Sequence, residues 1–199
     1  MNKVIIKQYE SFPFSEKEIL RYARVKEISD EVAALMRSAI AESEDALSYK
    51  VCYIECTLSI CGDICDFGYF NTRSRALAKN LDGVSRVIIF AATVGVKMDR
   101  LITKYSSTSP SRALMLQAIG AERIEGVCDR FARDIELSLS CHTRPRFSPG
   151  YADLDIEVQK DIFSLLDTKK IGLSLNDSLL MSPTKSVTAF MGIEDEYEF

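Results

Sequence analysis

The apolar positions of the chain follow two rhythms. At 86–93 (Arg86-Val87-Ile88-Ile89-Phe90-Ala91-Ala92-Thr93) they are almost unbroken, which predicts a strand buried on both faces at the centre of a sheet. Residues 47–58, rich in β-branched and aromatic side chains, predict another strand. From 109 to about 139 the apolar residues Leu114, Ile119, Ile124, Val127 and Phe131 recur at helical spacing, so the longest helix belongs there, with Ser109 as cap and Pro110 at its first position. A helix from 29 to about 43 buries Val32, Leu35, Met36 and Ile40 on one face, and an earlier one starts near Ser15, with Glu18 reaching back and Phe14 stapled onto Ile19. Shorter helices are expected at 74–81, 97–105 and 155–166, strands at 3–9, 172–175 and 186–193, and turns at 61–63 and 182–183. The segment 141–151 is too rich in arginine and proline for regular structure, and the acidic tail 194–199 reads as solvated. Strands at the beginning, middle and end, with helices of unequal length and no βαβ repeat, argue for an α+β fold in a single domain over 1–199.

Composition narrows the function. In 199 residues, 47% apolar, there is enough for one sizeable core, and no apolar run reaches the ~18 residues of a membrane span. Lys3 and Lys7 bracket only three apolar residues, so no signal-peptide core is read and a cytoplasmic location is expected. The net charge of −4, with both signs mixed along the chain, lacks the basic stripe of a nucleic-acid binder. Cys52, Cys56, Cys61 and Cys65 stand as C-x3-C-x4-C-x3-C, which is not a zinc spacing; small buried residues in a reducing compartment are the reading preferred, with an iron–sulfur site as the alternative. His142 is the single histidine, so a Ser-His-Asp triad would have to be built on it, and a structural role is preferred. Gly95, after the apolar strand, is a candidate for an anion site at a helix start. On the long helix, Glu122, Arg123, Glu125, Asp129 and Arg130 read as a solvated face with i,i+4 pairs. Gly120 and Gly126 there signal a close approach, with packing against the sheet preferred over ligand contact.

The chemistry is concentrated in Arg146-Phe147-Ser148-Pro149-Gly150-Tyr151. It offers a fork-shaped cation that matches a carboxylate, a Pro-Gly turn that exposes backbone groups, and an aromatic ring able to stack on a base or attract a sulfonium. Such a loop suits a small zwitterion bearing an aromatic group; a turn tied down by a surface ion pair is the alternative.

This R-x-x-P-G-Y loop is followed by Phe163-Ser164-Leu165-Leu166-Asp167 and then by Leu173-Ser174-Leu175-Asn176-Asp177-Ser178-Leu179-Leu180-Met181-Ser182-Pro183-Thr184-Lys185-Ser186-Val187. The series, in order and at similar separations, resembles the activation domain of cobalamin-dependent methionine synthase. The resemblance covers 144–188 and extends back along the long helix from Pro110. It implies a mostly antiparallel sheet with flanking helices, and S-adenosylmethionine (AdoMet) bound in a shallow groove. By the same resemblance Arg146 takes the methionyl carboxylate, the Ser148 backbone meets the adenine, and Gly150 and Tyr151 shape the pocket. Glu125 supplies an acidic group from the long helix, and Met191, where the family has a tyrosine, is left with a backbone contact. The family's N-terminal aspartate has only Glu10 as a faint counterpart. No catalytic base, nucleophile or metal ligand is implied. The implied role is that of an activation component of a methyltransferase, supporting reductive remethylation of cob(II)alamin. The cobalamin would be carried by a partner, either a corrinoid-binding protein or a methionine synthase lacking its own activation domain, with a flavodoxin-like electron donor. A non-catalytic AdoMet-binding module, a sensor or a corrinoid-protein chaperone, is the alternative.

Overall fold

The structure, a computed structural model, describes residues 3–195. In chain order its elements begin with β1 (Ile5–Tyr9), α1 (Glu16–Tyr22), α2 (Asp30–Glu44), β2 (Tyr49–Thr57), β3 (Ser59–Cys61), β4 (Ile64–Asp66), β5 (Asn71–Arg73) and α3 (Arg75–Asn80). They continue with β6 (Arg86–Thr93), α4 (Val96–Ser106), α5 (Pro110–Leu139), β7 (Cys141–Thr143), α6 (Val158–Leu165), β8 (Ser174–Leu175), β9 (Met181–Ser182) and β10 (Ser186–Asp195). The main sheet has the order β1-β2-β6-β10-β7, and every neighbouring pair in it is antiparallel. The fold is therefore α+β with an antiparallel sheet and flanking helices.

β6 holds the centre of that sheet because its side chains are apolar on both faces. Ile88, Phe90 and Ala92 point into one core with α1, α2, α4 and α5, whereas Val87, Ile89 and Ala91 point into a second core with α3, α6 and the hairpin of β3 and β4. Phe131 of α5 sits 5.0 Å from the rings of both Tyr53 and Phe90, and across the sheet Phe67 stacks on Phe190 at 4.8 Å. A large apolar side chain contributes about 1.5–3 kcal/mol when fully buried, so the first layer fixes α5 against one face of the sheet while the second packs the opposite face.

The ends of α5 depart from the sequence reading. The Ser109 side chain makes no capping bond; the start rests on Pro110 and on the Ala113 N–H donated to the Ser109 carbonyl at 3.0 Å. At the other end Ser140 adopts a left-handed φ of 49° and the chain turns straight into β7, where a loop was expected. That edge strand exists through non-local pairing, Thr143 with Ile193 and His142 with Glu194, which the local Arg/Pro content does not reveal. The same pairing draws Glu194 and Asp195 out of the solvated tail into β10, and Glu194 also pairs with Arg144 at 2.6 Å. Residues 196–199 lie outside the described residues.

A larger correction concerns Glu122 and Arg123, read as part of a solvated face. Arg123 is fully buried and Glu122 nearly so. The guanidinium pairs with the adjacent Glu122 carboxylate, donates to the carbonyls of Phe12 (2.8 Å) and Pro13 (2.9 Å), and lies 4.2 and 4.0 Å from the centres of the Phe12 and Phe14 rings. Glu122 in turn accepts the Ser15 N–H at 3.2 Å. That is the donor Glu18 was expected to reach, and Glu18 instead holds Arg21. The Ser15 hydroxyl does cap α1, accepting from the Glu18 N–H at 3.4 Å. Nor is it the sheet that approaches the helix glycines: a Cβ on Gly126 would meet the Phe12 ring at 2.7 Å, and one on Gly120 the Lys185 side chain at 3.0 Å. Among the described residues no helix is long and apolar enough to cross a membrane.

Candidate functional site

After β7 the chain makes one bridge to the sheet before leaving it. Phe147 and Phe190 exchange both backbone hydrogen bonds at 2.9 Å, and the Phe147 ring is buried beneath the sheet. Its neighbours Arg146 and Ser148 are thereby left on the other side of the chain, towards α5. Ser148 to Tyr151 then form a β-turn closed by the Tyr151 N–H donating to the Ser148 carbonyl at 3.1 Å. Pro149 supplies the fixed φ and Gly150 the positive φ of 85° that the third position of such a turn demands. A side chain at Gly150 would be strained, and its Cβ would meet Ile156 at 2.9 Å. The turn leaves the Tyr151 ring 67% exposed, edge-on to Phe147 at 5.3 Å.

Arg146 reaches back to α5, where Glu125 and Asp129 stand one turn apart on the same face. It donates to Asp129 Oδ1 at 2.6 Å through Nη1 and to Glu125 Oε2 at 2.8 Å through Nη2. Burial alone would pull its pKa down, but the hydrogen bond to Asp129 and the surrounding negative charges hold it above the ordinary value. Glu125, Pro145, Arg146, Ser148, Tyr151 and Val187 line an open groove of about 520 Å³. Of the expected site residues, Arg146, Ser148, Tyr151 and Glu125 thus come together, and Gly150 shapes the turn that presents Tyr151.

Met191, expected to offer a backbone contact alone, is not among the residues that line this groove. It is fully buried in the core between the sheet and α5, paired in register with Ile88, and β10 contributes Val187 to the groove instead. Glu10 also lies elsewhere, in a polar depression with Lys7, Tyr9, Arg130 and Asp134. Asp129, Pro145 and Val187 are the residues the sequence reading missed. Asp129 carried a usable signal, since a carboxylate one turn beyond Glu125 is placed to share its arginine.

The other candidates resolve into structure. Cys52, Cys56 and Cys65 are buried in the second core, where desolvation pushes their thiols up to about 12, 11 and 11, while Cys61 is exposed at the tip of the β3–β4 hairpin. Among the described residues no three His, Cys, Asp or Glu side chains are grouped to hold a metal. His142 is on β7, opposite Glu194. At the start of α4, Asp99 accepts the Thr184 N–H and hydroxyl, both at 2.7 Å, and the Ser48 hydroxyl would lie 2.6 Å from a Cβ on Gly95. A wider groove of about 910 Å³ runs between α6 and β8, but it contains none of the loop residues and lacks an exposed aromatic ring beside a caged cation. The groove at Arg146 is the one in which charge, aromatic surface and a shaped turn converge.

The chain superposes on the MetH reactivation domain, crystallised with S-adenosylhomocysteine (AdoHcy), with a TM-score of 0.69. The match covers 99% of this chain and 80% of that one at 16% identity, which establishes a shared fold. No curated protein matches the sequence. The family model for the activation domain of vitamin B12-dependent methionine synthase matches residues 77–199, which include the later part of α3, the whole of α5, the Arg146 loop and β10, and the chain belongs to that family.

Proposed function

We propose that this chain binds AdoMet in the groove beside Arg146 and acts as an activation module for a corrinoid carried by a separate protein. The observation that supports this most is the caged guanidinium, held by two carboxylates within a groove that also presents an exposed tyrosine ring. The groove's size falls within the roughly 300–1,000 Å³ of small-ligand sites. A guanidinium has more donors than the two bonds to α5 consume, so Arg146 can accept a methionyl carboxylate while remaining oriented by Glu125 and Asp129. The two carboxylates outweigh the single arginine, and the resulting negative field favours a sulfonium ligand over its neutral-sulfur counterpart. Tyr151 offers a face for the adenine or the sulfonium, and the Ser148 backbone lies at the edge of the same turn.

When bound, AdoMet supplies the methyl group that traps the reduced corrinoid. The share of this chain is to bind and orient the ligand and to exclude competing reactions, so no general base or nucleophile is required. The corrinoid, and a flavodoxin-like electron donor, are supplied in trans in this reading, by a methionine synthase lacking its own activation domain or a related corrinoid-binding protein.

The reading is tested by mixing the protein with such a corrinoid protein in its cob(II)alamin state, AdoMet and a low-potential reductant. Faster loss of the cob(II)alamin absorbance that depends on both the chain and AdoMet is expected. AdoMet binding without any effect on the corrinoid would leave a binding or sensing module instead.

A further inference from the structure

The ligand loop is fastened at both ends to one short helix. At its start the Pro145 carbonyl accepts the Asn80 side-chain N–H from the last residue of α3 at 3.2 Å. At its end the Asp153 carboxylate is bound to the first turn of the same helix. It accepts the Ser74 hydroxyl at 2.6 Å, the Arg75 N–H at 2.9 Å and the Ala76 N–H at 3.2 Å. Ser74 meanwhile caps the helix through the Leu77 N–H at 3.0 Å, so Ser74 and Asp153 together satisfy the three amides of the first turn. These bonds hold Asp153 ionised well below the usual carboxylate range, with the Ser74 hydrogen bond as the largest cause.

α3 is a rigid bracket because Leu77 and Leu81 are fully buried in the same core as Phe147 and Leu154 of the loop. Between its two attachment points lie Arg146, Ser148 and Tyr151. Within that span Phe147 pairs with Phe190 and Arg146 reaches α5, whereas the turn from Ser148 on is closed by short-range backbone bonds, Tyr151 N–H to Ser148 carbonyl within it and Gly150 N–H to Leu154 carbonyl just beyond it. Ala152 has a left-handed φ of 51°, a conformation an alanine adopts at a cost and keeps only when its surroundings impose it. Asp153 is the adjacent residue, and its three bonds to α3 fix the chain directly after that position.

We infer that Asp153 is a positioning residue for the ligand loop: its carboxylate, docked on the N-terminal turn of α3, sets the turn that presents Tyr151 and Ser148 to the groove. This rests on the reading of the groove as the AdoMet site for its effect on affinity, but not for its effect on the loop. In the free protein, hydrogen exchange of Asp153→Ala is expected to show faster exchange at Gly150, Tyr151 and Leu154 and unchanged protection in β6. In calorimetric titration the same variant should bind AdoMet on the order of tenfold more weakly, because the ligand must then order the loop.

Asp153→Asn, which keeps an acceptor for Ser74 but turns an N–H towards the Arg75 amide, should give an intermediate effect on both readouts. Equal loss of protection in β6 would reduce Asp153 to a general stability residue and overturn the inference, as would unchanged exchange in the loop. If the wild-type protein does not bind AdoMet, the functional reading fails, and the exchange experiment still decides whether Asp153 sets the loop.

Discussion

Two arginine–carboxylate clusters sit on successive turns of α5, and their surroundings are opposite. Arg123 and Glu122 are closed off from water beneath Phe12 and Phe14, with the arginine's remaining donors spent on backbone carbonyls. Arg146, Glu125 and Asp129 form at the rim of an open groove, with both carboxylates about half exposed. The first cluster is a clamp that fastens residues 12–15 to the helix. The second is a charged surface held in one geometry but still reachable by a ligand. Burial decides the difference: a desolvated pair must be fully satisfied by protein, whereas a rim pair keeps donors for something else.

The comparison is broken most severely at the clamp. Arg123→Met leaves Glu122 buried without its cation and is expected to cost about 3–5 kcal/mol, read as a shift in the urea midpoint. A second substitution, Glu122→Leu, made in that background should recover part of the loss, since an apolar pair avoids the buried charge. Arg146→Ala also removes two ion contacts but is expected to change stability by no more than about 1 kcal/mol, because they are partly solvated. It should instead weaken AdoMet binding on the order of 10- to 100-fold, through loss of a charge-assisted contact.

Charge at the rim is sharpened by Asp129→Asn. Both AdoMet and AdoHcy carry the carboxylate, so any change in how freely Arg146 receives it affects the two alike. Only AdoMet carries the sulfonium charge, and the preference for AdoMet over AdoHcy should fall by a few-fold in the variant. Unchanged preference would remove the carboxylate cage from the account of selectivity.

The effect that is smallest at neutral pH concerns the buried thiols. Cys52, Cys56, Cys65 and Cys128 have pKa values raised by desolvation from 9.0 to between about 11 and 12. The folded state therefore keeps these protons longer than the unfolded state. Stability is fully present below pH 9 and falls as pH rises from there through the folded values. Denaturant titrations at rising alkaline pH measure that decline. In native protein at pH 8, Cys61 should be the fast-reacting thiol, and all six should react after unfolding.

Much of this was readable from residue patterns where the cause is local. β6 announces itself because both of its faces are apolar; the Pro149-Gly150 turn does so because only glycine suits its third position; the cap at Ser15 is a short-range event, although Ser109, read in the same way, makes no capping bond. What stayed hidden depends on chain segments that meet only in the fold. Nothing near Arg123 in sequence indicates that Phe12 and Phe14 will cover it. β7 has no strand pattern of its own and is made by the end of β10. For Met191 the sequence implied a backbone contact alone, and the alternation of β10, which buries its side chain in the core, is settled by the sheet. In the groove, the loop's own residues were legible as a motif, while Asp129 looked like any other charge on an exposed helix face.

The most direct measurement is calorimetric titration of the purified protein with AdoMet, using AdoHcy as the ligand without the sulfonium charge. Saturable binding to one site per chain, tighter for AdoMet and largely lost in Arg146→Ala, is the expected result. A titration that stays flat up to millimolar AdoMet, or saturable binding unaffected by Arg146→Ala, would contradict the assignment of the groove.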